Sequence, residues 1–362
     1  MIKFLHSADW HLDSPIQGRT EAQTALLKQA LLRIPQQVAQ AAKAENCDLM
    51  LLSGDLFDGR ATPESIRAVA DALEEAGMPV FISPGNHDYC SPESPWRTFR
   101  WPENVHVFTE PVMEGVAVPG LDCRVYGAAF LGTDADAMLA GFRAEGPETV
   151  KLGVLHGDPT QSTSPYCPIT AQQIADSGLD YLALGHIHKP DRLVSGGTLC
   201  AWPGNPMGRG FDELGERGVL IVTVDGGCEA RFLGLDTPRF YDWECEAGDD
   251  PSAALGAMLP AVGNLDFYRI ALTGESTGVD LAALAEEFSR FPNLTLRDRT
   301  VMPLDLWANA GEDTLEGVYF HLLRQAMEGK DEETCRRIRL AAKISRQLLE
   351  GREVKLPGSF IP

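Results

Sequence analysis

The sequence predicts a layered α/β fold, and three observations carry that expectation. Short apolar runs alternate with amphipathic stretches through the first two-thirds of the chain. Several of those runs end in polar, glycine-rich segments, which is where sites form in such folds. After Thr237-Pro238 the pattern restarts as a smaller α/β unit, followed by a helical end.

Strands are expected at 2–6, 48–53, 79–82, 105–108, 125–129, 151–155, 180–184 and 219–224. Between the early strands, 21–44 and 63–76 carry apolar residues at helical spacing, including Leu27, Leu31, Ile34, Val38 and Ala41. In the second unit 240–246 alternates like a half-buried strand, and Gly248-Asp249-Asp250-Pro251 opens a helix. Strands at 266–272 and 293–297 then flank a helix at 279–290. Beyond Pro303 the chain turns helical and ends in a helix over 331–350, whose middle holds Arg336, Arg337, Arg339, Lys343 and Arg346. The expected division is therefore 1–237, 238–302 and 303–362.

The chain of 362 residues has 44% hydrophobic residues, enough to bury a substantial core, and is longer than a single core usually grows. Its formal charge of -21 argues against a surface that binds nucleic acid or anionic membrane all over, so a phosphate-rich partner needs a local positive site. Metal ions would supply one. The eight cysteines are dispersed without a C-x-x-C pair, which reads as reduced and structural. No segment reaches the roughly 18 apolar residues of a membrane span, and the N-terminus lacks a leader pattern, so a soluble cytoplasmic protein is expected, with no membrane partner.

Residues 53–60, SGDLFDGR, place Asp55 and Asp58 where the apolar run DLMLLSG ends. An ionised carboxylate pushed toward an apolar interior shifts its pKa, finds a partner or binds a metal. The alternative is a polar turn. Other strand ends decide between these: Asp9 and His11 follow the first strand at i, i+2 and point the same way if the chain stays extended. Asn86, His87 and Asp88 follow the third strand after Gly85, which allows a sharp turn. His156 ends the strand at 151–155, and His186 and His188 follow that at 180–184. His6, His106 and His321 have no such setting and read as structural.

Imidazole, carboxylate and carboxamide without thiolate suit manganese, iron or zinc. Asp9, His11, Asp55, Asn86, His156, His186 and His188 give seven ligands, too many for one ion and enough for two if a carboxylate bridges. Asp55, on a central strand, is the expected bridge. Two ions roughly 3.5–4 Å apart activate a bridging water and neutralise charge on a phosphoryl group, the chemistry of phosphoester hydrolysis. His87, next to Asn86 but not needed as a ligand, is placed to protonate the leaving oxygen, with Asp88 holding its other nitrogen.

At these residues the sequence resembles calcineurin-like metallophosphoesterases, and within them the SbcD-like DNA repair exonucleases. The motifs SADWHLDSP, LLSGDLFDGRATPES, VFISPGNHD, GVLHGD and YLALGHIHKP lie in family order over about residues 1–190, and WPGNPMGRGFDELGERGVLIVTV extends the likeness to about 235. The resemblance implies a four-layer α/β/β/α sandwich with a small α/β capping domain and C-terminal helices, and two manganese ions on the seven residues above. It implies hydrolysis of DNA phosphodiester bonds, commonly at double-stranded ends, by a homodimer bound to an SbcC-like coiled-coil ATPase subunit. On this pattern 238–302 is the cap and the basic terminal helix docks the ATPase; packing on its own core through Ile338, Leu340, Ile344 and Leu348 is the other reading. Asp58 stands where archaeal and eukaryotic relatives tend to carry a histidine that helps the chemistry; it fixes a ligand histidine or the loop before the helix at 63–76. Arg19, Arg60, Arg97, Arg100, Lys189, Arg192 and Arg209 are candidate phosphate contacts. The competing functions are a phosphodiesterase of nucleotides or other small phosphoesters, and a scaffold whose site no longer turns over, against which the complete ligand set argues.

Overall fold

The structure is a computed structural model in which residues 1–351 are described; the last part of the C-terminal segment, 352–362, lies outside the described residues. In chain order the elements are β1 (Ile2–Ser7), α1 (Glu21–Leu32), α2 (Ile34–Ala44), β2 (Leu49–Leu52), α3 (Pro63–Ala76), β3 (Val80–Ile82), α4 (Pro95–Thr98) and β4 (Val105–Val107). Next come β5 (Glu114–Ala117), β6 (Cys123–Gly127), β7 (Val150–His156), α5 (Ala171–Asp176), β8 (Tyr181–Gly185), β9 (Asp191–Ser195), β10 (Thr198–Trp202), β11 (Gly218–Val224) and β12 (Cys228–Gly234). The remainder is β13 (Phe240–Glu246), α6 (Pro251–Met258), β14 (Phe267–Thr273), α7 (Leu281–Glu287), β15 (Leu294–Asp298), α8 (Leu315–Gln325) and α9 (Glu332–Leu349).

The first twelve strands form two six-stranded sheets, ordered β12-β11-β1-β2-β3-β4 and β5-β6-β7-β8-β10-β9. Period-2 alternation of fully apolar strands explains the layering. Along β1 and β2, Phe4, Leu49 and Leu51 meet Val125, Leu152, Val154, Tyr181 and Ala183 of the other sheet. Their neighbours Leu5, Met50 and Leu52 pack instead on Leu27, Leu31, Ile34, Val38, Val69 and Leu73 of α1, α2 and α3. On the far side of the second sheet Leu182, Leu184, Cys200 and Trp202 are covered by Ile174 and by Phe130 and Leu139 from the long loop before β7. The result is the expected α/β/β/α order. His6 lies between the sheets, with its two ring nitrogens 2.8 Å from the Tyr181 hydroxyl and the Ser53 hydroxyl, so it is a satisfied core histidine.

Two differences from the sequence expectation have local causes. The helix expected at 21–44 is two helices that break at Arg33, because Pro35 sits in the first turn of α2 and has no N–H to continue α1. Four strands were not anticipated: β5, β9 and β12 are edges whose outer faces are polar, and β10 is a short buried run between two turns.

The chain divides into two compact units, one of residues 1–242, 264–269 and 291–295, the other of 243–263, 270–290 and 296 onward. β13, β14 and β15 form a three-stranded sheet in that order. In the second unit the guanidinium of Arg346, 4% exposed, donates to the carbonyls of Leu306 (3.2 Å) and Ala308 (2.6 Å), pairs with Glu316 and lies 3.9 Å from the centre of the Phe320 ring. Of the five basic residues read along the terminal helix, this one is therefore buried inside its own unit.

Leu51→Ala, which empties the space between the sheets, is expected to lower the unfolding free energy by about 3 kcal/mol, read from the urea midpoint.

Candidate metal centre

The polar residues converge because five parallel-sheet strands, β1, β2, β3, β7 and β8, end at the same edge of the two sheets. The loops leaving β1 and β2 run side by side, with Asp9 N–H donating to the Gly54 carbonyl (3.0 Å), His11 N–H to Asp55 (2.9 Å) and Leu12 N–H to Leu56 (2.9 Å). The extended i, i+2 geometry read for Asp9 and His11 is not what forms. Both are left-handed, at φ 55° and 48°, as are Asp55 at 53° and His186 at 98°. Each such non-glycine residue costs about 1–2 kcal/mol and persists where surrounding bonds fix it. Gly85 likewise serves by its size and not by its turn: a Cβ there would lie 2.2 Å from Asp55 Oδ1, and one on Gly54 2.8 Å from His156 Nδ1.

Three tight groups result, each with ligand atoms within 4.8 Å of one another: Asp9, His11 and His188; Asp9, Asp55 and His156; and His11, Asp58 and His87. Asp55 Oδ2 lies 3.2 Å from His156 Nε2 and 3.8 Å from His11 Nε2, between the first two groups. Asn86 Oδ1 is 3.0 Å from His156 Nε2. His186 falls outside the tight groups, its ring 5.3 Å from that of His156 and 4.9 Å from that of Tyr166, while its main-chain N–H donates to Asp9 at 3.0 Å.

The donor set fits cations. His156 gives its Nδ1 proton to the Ser53 carbonyl (2.9 Å), so in the neutral ring Nε2 carries a lone pair, yet Nε2 faces two acceptors, Asn86 Oδ1 and Asp55 Oδ2. His188 gives its Nδ1 proton to Glu213 (2.7 Å), which turns its Nε2 lone pair toward His11 Nε2 at 3.0 Å. His11 Nδ1 is buried without a hydrogen-bond partner among the described residues. Lone pairs of imidazole, carboxylate and carboxamide converging in this way are the donor set that a divalent ion takes, and these residues can hold two.

The protein's own electrostatics strain without such ions. Burial raises the Asp9 carboxyl to about 6, the Asp55 charge adding to the effect. Burial acts the same way on Asp55, but the His156 and His11 imidazoles beside it hold it well below the carboxylate range. Burial opposes charge on His156, yet the same pairing lifts it to about 9. Burial lowers His11 to about 3, and burial with the His156 charge lowers His186 to about 4.

The imidazole of His87, its side chain 46% exposed, donates from Nδ1 to Asp58 at 2.8 Å. That bond raises the His87 pKa and, with Ser14 and His11, lowers Asp58 to about 2. The expectation that Asp88 holds His87 is therefore corrected. The Asp88 oxygens accept the main-chain N–H groups of Gly85 (2.7 Å), Leu56 (2.8 Å), Asp55 (3.2 Å) and Phe57 (3.3 Å), locking the β2 and β3 loops together. Burial and the Asp55 charge raise its pKa to about 7.

Glu213 is the contributor that sequence reading missed. It is buried, yet His188 and Arg209 hold it far below the usual range; Arg209 donates to it from its main-chain N–H (2.8 Å) and its guanidinium (3.1 Å). Nothing in FDELGERG distinguishes it from a surface acid except its distance from the final strand end. Arg209 also approaches Asp58 at 3.7 Å. Of the other candidate phosphate contacts, Arg97 is tied to Glu110 (3.3 Å) and Arg19 is packed among Phe211, Phe240 and Phe267, 5.1–5.6 Å from their centres.

A family model described as calcineurin-like phosphoesterase matches residues 2–190. Among curated proteins the chain is similar to the metallophosphoesterase YhaO of Bacillus subtilis, 34% identical, the alignment covering 68% of this chain and 63% of that protein. It is also similar to the SbcD component of the nuclease SbcCD of Bacillus subtilis, 26% identical over 63% of this chain and 68% of that one. A third relative is the DNA double-strand break repair protein Mre11 of Saccharolobus solfataricus, 24% identical over 61% of this chain and 60% of that one. The chain thus spans a little under two thirds of YhaO's length. No helix among the described residues is long and apolar enough to cross a membrane.

Glu213→Ala removes the acceptor that orients His188, and manganese affinity is expected to fall about 10–100-fold, measured by calorimetric titration of metal-free protein. Unchanged affinity would show that His188 is oriented without it.

Proposed function

The chain belongs to the calcineurin-like phosphoesterase family, and from that membership we propose that it is a two-metal phosphodiesterase, most specifically a DNA repair nuclease of exonuclease or endonuclease type. Asp9, His11 and His188 would hold one ion and Asn86, His156 and His186 the other, with Asp55 available to both. Manganese is the ion proposed, with iron or zinc compatible with the same donors. When bound, the pair supplies Lewis acidity toward the phosphoryl oxygens and an acidified water.

The rest of the work falls to side chains of this chain. His87, protonated, offers its Nε2 proton to the leaving oxygen as the phosphorus–oxygen bond breaks, since Nδ1 is already committed to Asp58. Asp58 fixes the ring and favours its charged form. Asp88 sets the loop that carries Asn86 and His87 by its four main-chain bonds. The observation that carries the reading is the convergence of the three His/Asp groups, with His87 in one of them and exposed to solvent.

DNA as substrate and an SbcC-like ATPase as partner are supported by the likeness to the SbcD component of SbcCD and to Mre11; a homodimer and a cytoplasmic location are proposed with them. The formal charge of -21 favours a second reading, a phosphodiesterase of nucleotides or other small phosphoesters.

Degradation of linear duplex DNA in manganese, alone and with the cognate ATPase, is the deciding assay beside a panel of cyclic nucleotides. Turnover of the small esters with inert DNA would reject the nuclease. For His87→Ala, kcat on a substrate with an alkoxide leaving group is expected to fall about 10²–10⁴-fold with metal content unchanged. Loss on a p-nitrophenyl ester, whose leaving group needs no proton, is expected to be much smaller; equal losses on both would remove the acid role.

A further inference from the structure

His87 belongs to two places at once. It is part of the group with His11 and Asp58, and it forms part of the wall of a cleft of about 540 Å³ that includes Arg60, Ala61, Ile66, Tyr89 and Thr98. A proton donor must come within about 3 Å of the atom it protonates, and the nitrogen left to His87 is Nε2. Whatever is attached to the leaving oxygen therefore starts at this wall. The volume is that of a small-ligand site.

The lining says what would enter. Ile66 and Tyr89, both half-buried, offer apolar and aromatic surface. The Ser94 and Thr98 hydroxyls give their protons to the carbonyls of Ser91 and Ser94, both at 2.8 Å, so toward the cleft they present lone pairs, matching the N–H groups of a nucleobase edge. Arg60 is exposed and has neither an ion pair nor a hydrogen bond among the described residues, unlike Arg97 and Arg209, which are held by carboxylates. Glu93 also lies on the wall, which leaves the Arg60 side as the place for an anion.

We infer that this cleft binds the leaving-side nucleoside of a single nucleic-acid strand, with Arg60 on the next phosphate. The inference rests on the nuclease reading above. It implies that a base is taken in unpaired, so single strands or frayed ends are the form that reaches the metal centre.

The test uses the full chain in manganese, with a fluorescent single-stranded oligonucleotide and bis(p-nitrophenyl) phosphate as substrates. Arg60→Gln and Ala61→Trp are expected to raise KM for the oligonucleotide about tenfold more than KM for the ester. Arg60→Gln alone should also reduce the slope of log KM against log salt by about 0.7, the signature of one lost contact to a single-strand phosphate. If Ala61→Trp does not fold, Thr98→Trp fills the same space from the other wall. Oligonucleotide cleavage by the wild type with KM unchanged in these variants would overturn the cleft assignment alone. Ester turnover by the wild type with an inert oligonucleotide would overturn the nuclease reading and the nucleoside with it.

Discussion

Two carboxylates buried side by side constrain everything around them. Asp9 and Asp55 are 1% and 2% exposed, and neighbouring like charges in such surroundings cost several kcal/mol unless cations compensate. The protein alone offers His156 as the compensating charge, held by Asp55 and by the Ser53 carbonyl. That is one proton for two acids. The remaining lone pairs of His11, His188 and Asn86 point inward as well, so the site is built for positive charge that the polypeptide does not supply. With two ions in this place an acidic protein would have a local electrostatic field opposite to its net charge, which is what an anionic phosphoester requires.

Holding such a site open falls to main-chain geometry. Left-handed Asp9, His11, Asp55 and His186 aim their side chains across loops that hydrogen-bond to one another, and Asp88 ties four main-chain N–H groups from two of those loops. Glycines at 54 and 85 let backbone and side chain approach where a Cβ would collide. Strain of this kind is tolerated because the strands below are packed on both faces, so the loop starts are fixed by a core that does not yield.

Much of this was legible in sequence and some could not be. Apolar runs ending in D-x-H, G-D-x-x-D, G-N-H-D, G-x-x-H and G-H-x-H report where strands stop and polar groups start, a local signal with period 2 behind it. A layered α/β domain followed from those same runs, whereas the four-layer order came with the family resemblance. Edge strands were missed since a strand with one partner and a wet face resembles a loop, as in Asp191–Ser195. Glu213 was missed because its partner His188 lies 25 residues earlier, and no periodicity links them. Asp58 and Asp88 exchanged roles for a similar reason: adjacency to His87 in sequence suggested Asp88, whereas the fold brings Asp58 to the ring from 29 residues away.

That exchange sharpens the meaning of the family's variable position. Where archaeal and eukaryotic relatives tend to carry a histidine, this chain has a carboxylate bonded to the imidazole of His87. A second imidazole there would compete with His87 for positive charge; a carboxylate instead favours the protonated ring and fixes Nδ1 as its donor. Asp58 is in turn approached by Arg209 at 3.7 Å, and Arg209 is held by Glu213, which orients His188. The proposed acid and the proposed metal ligand are thus joined through one chain of contacts that runs from His87 to Asp58, Arg209, Glu213 and His188. Asp58, Arg209 and Glu213 each have a partner on either side in that chain, so a substitution at any of them removes a contact on the path between the acid and the ligand.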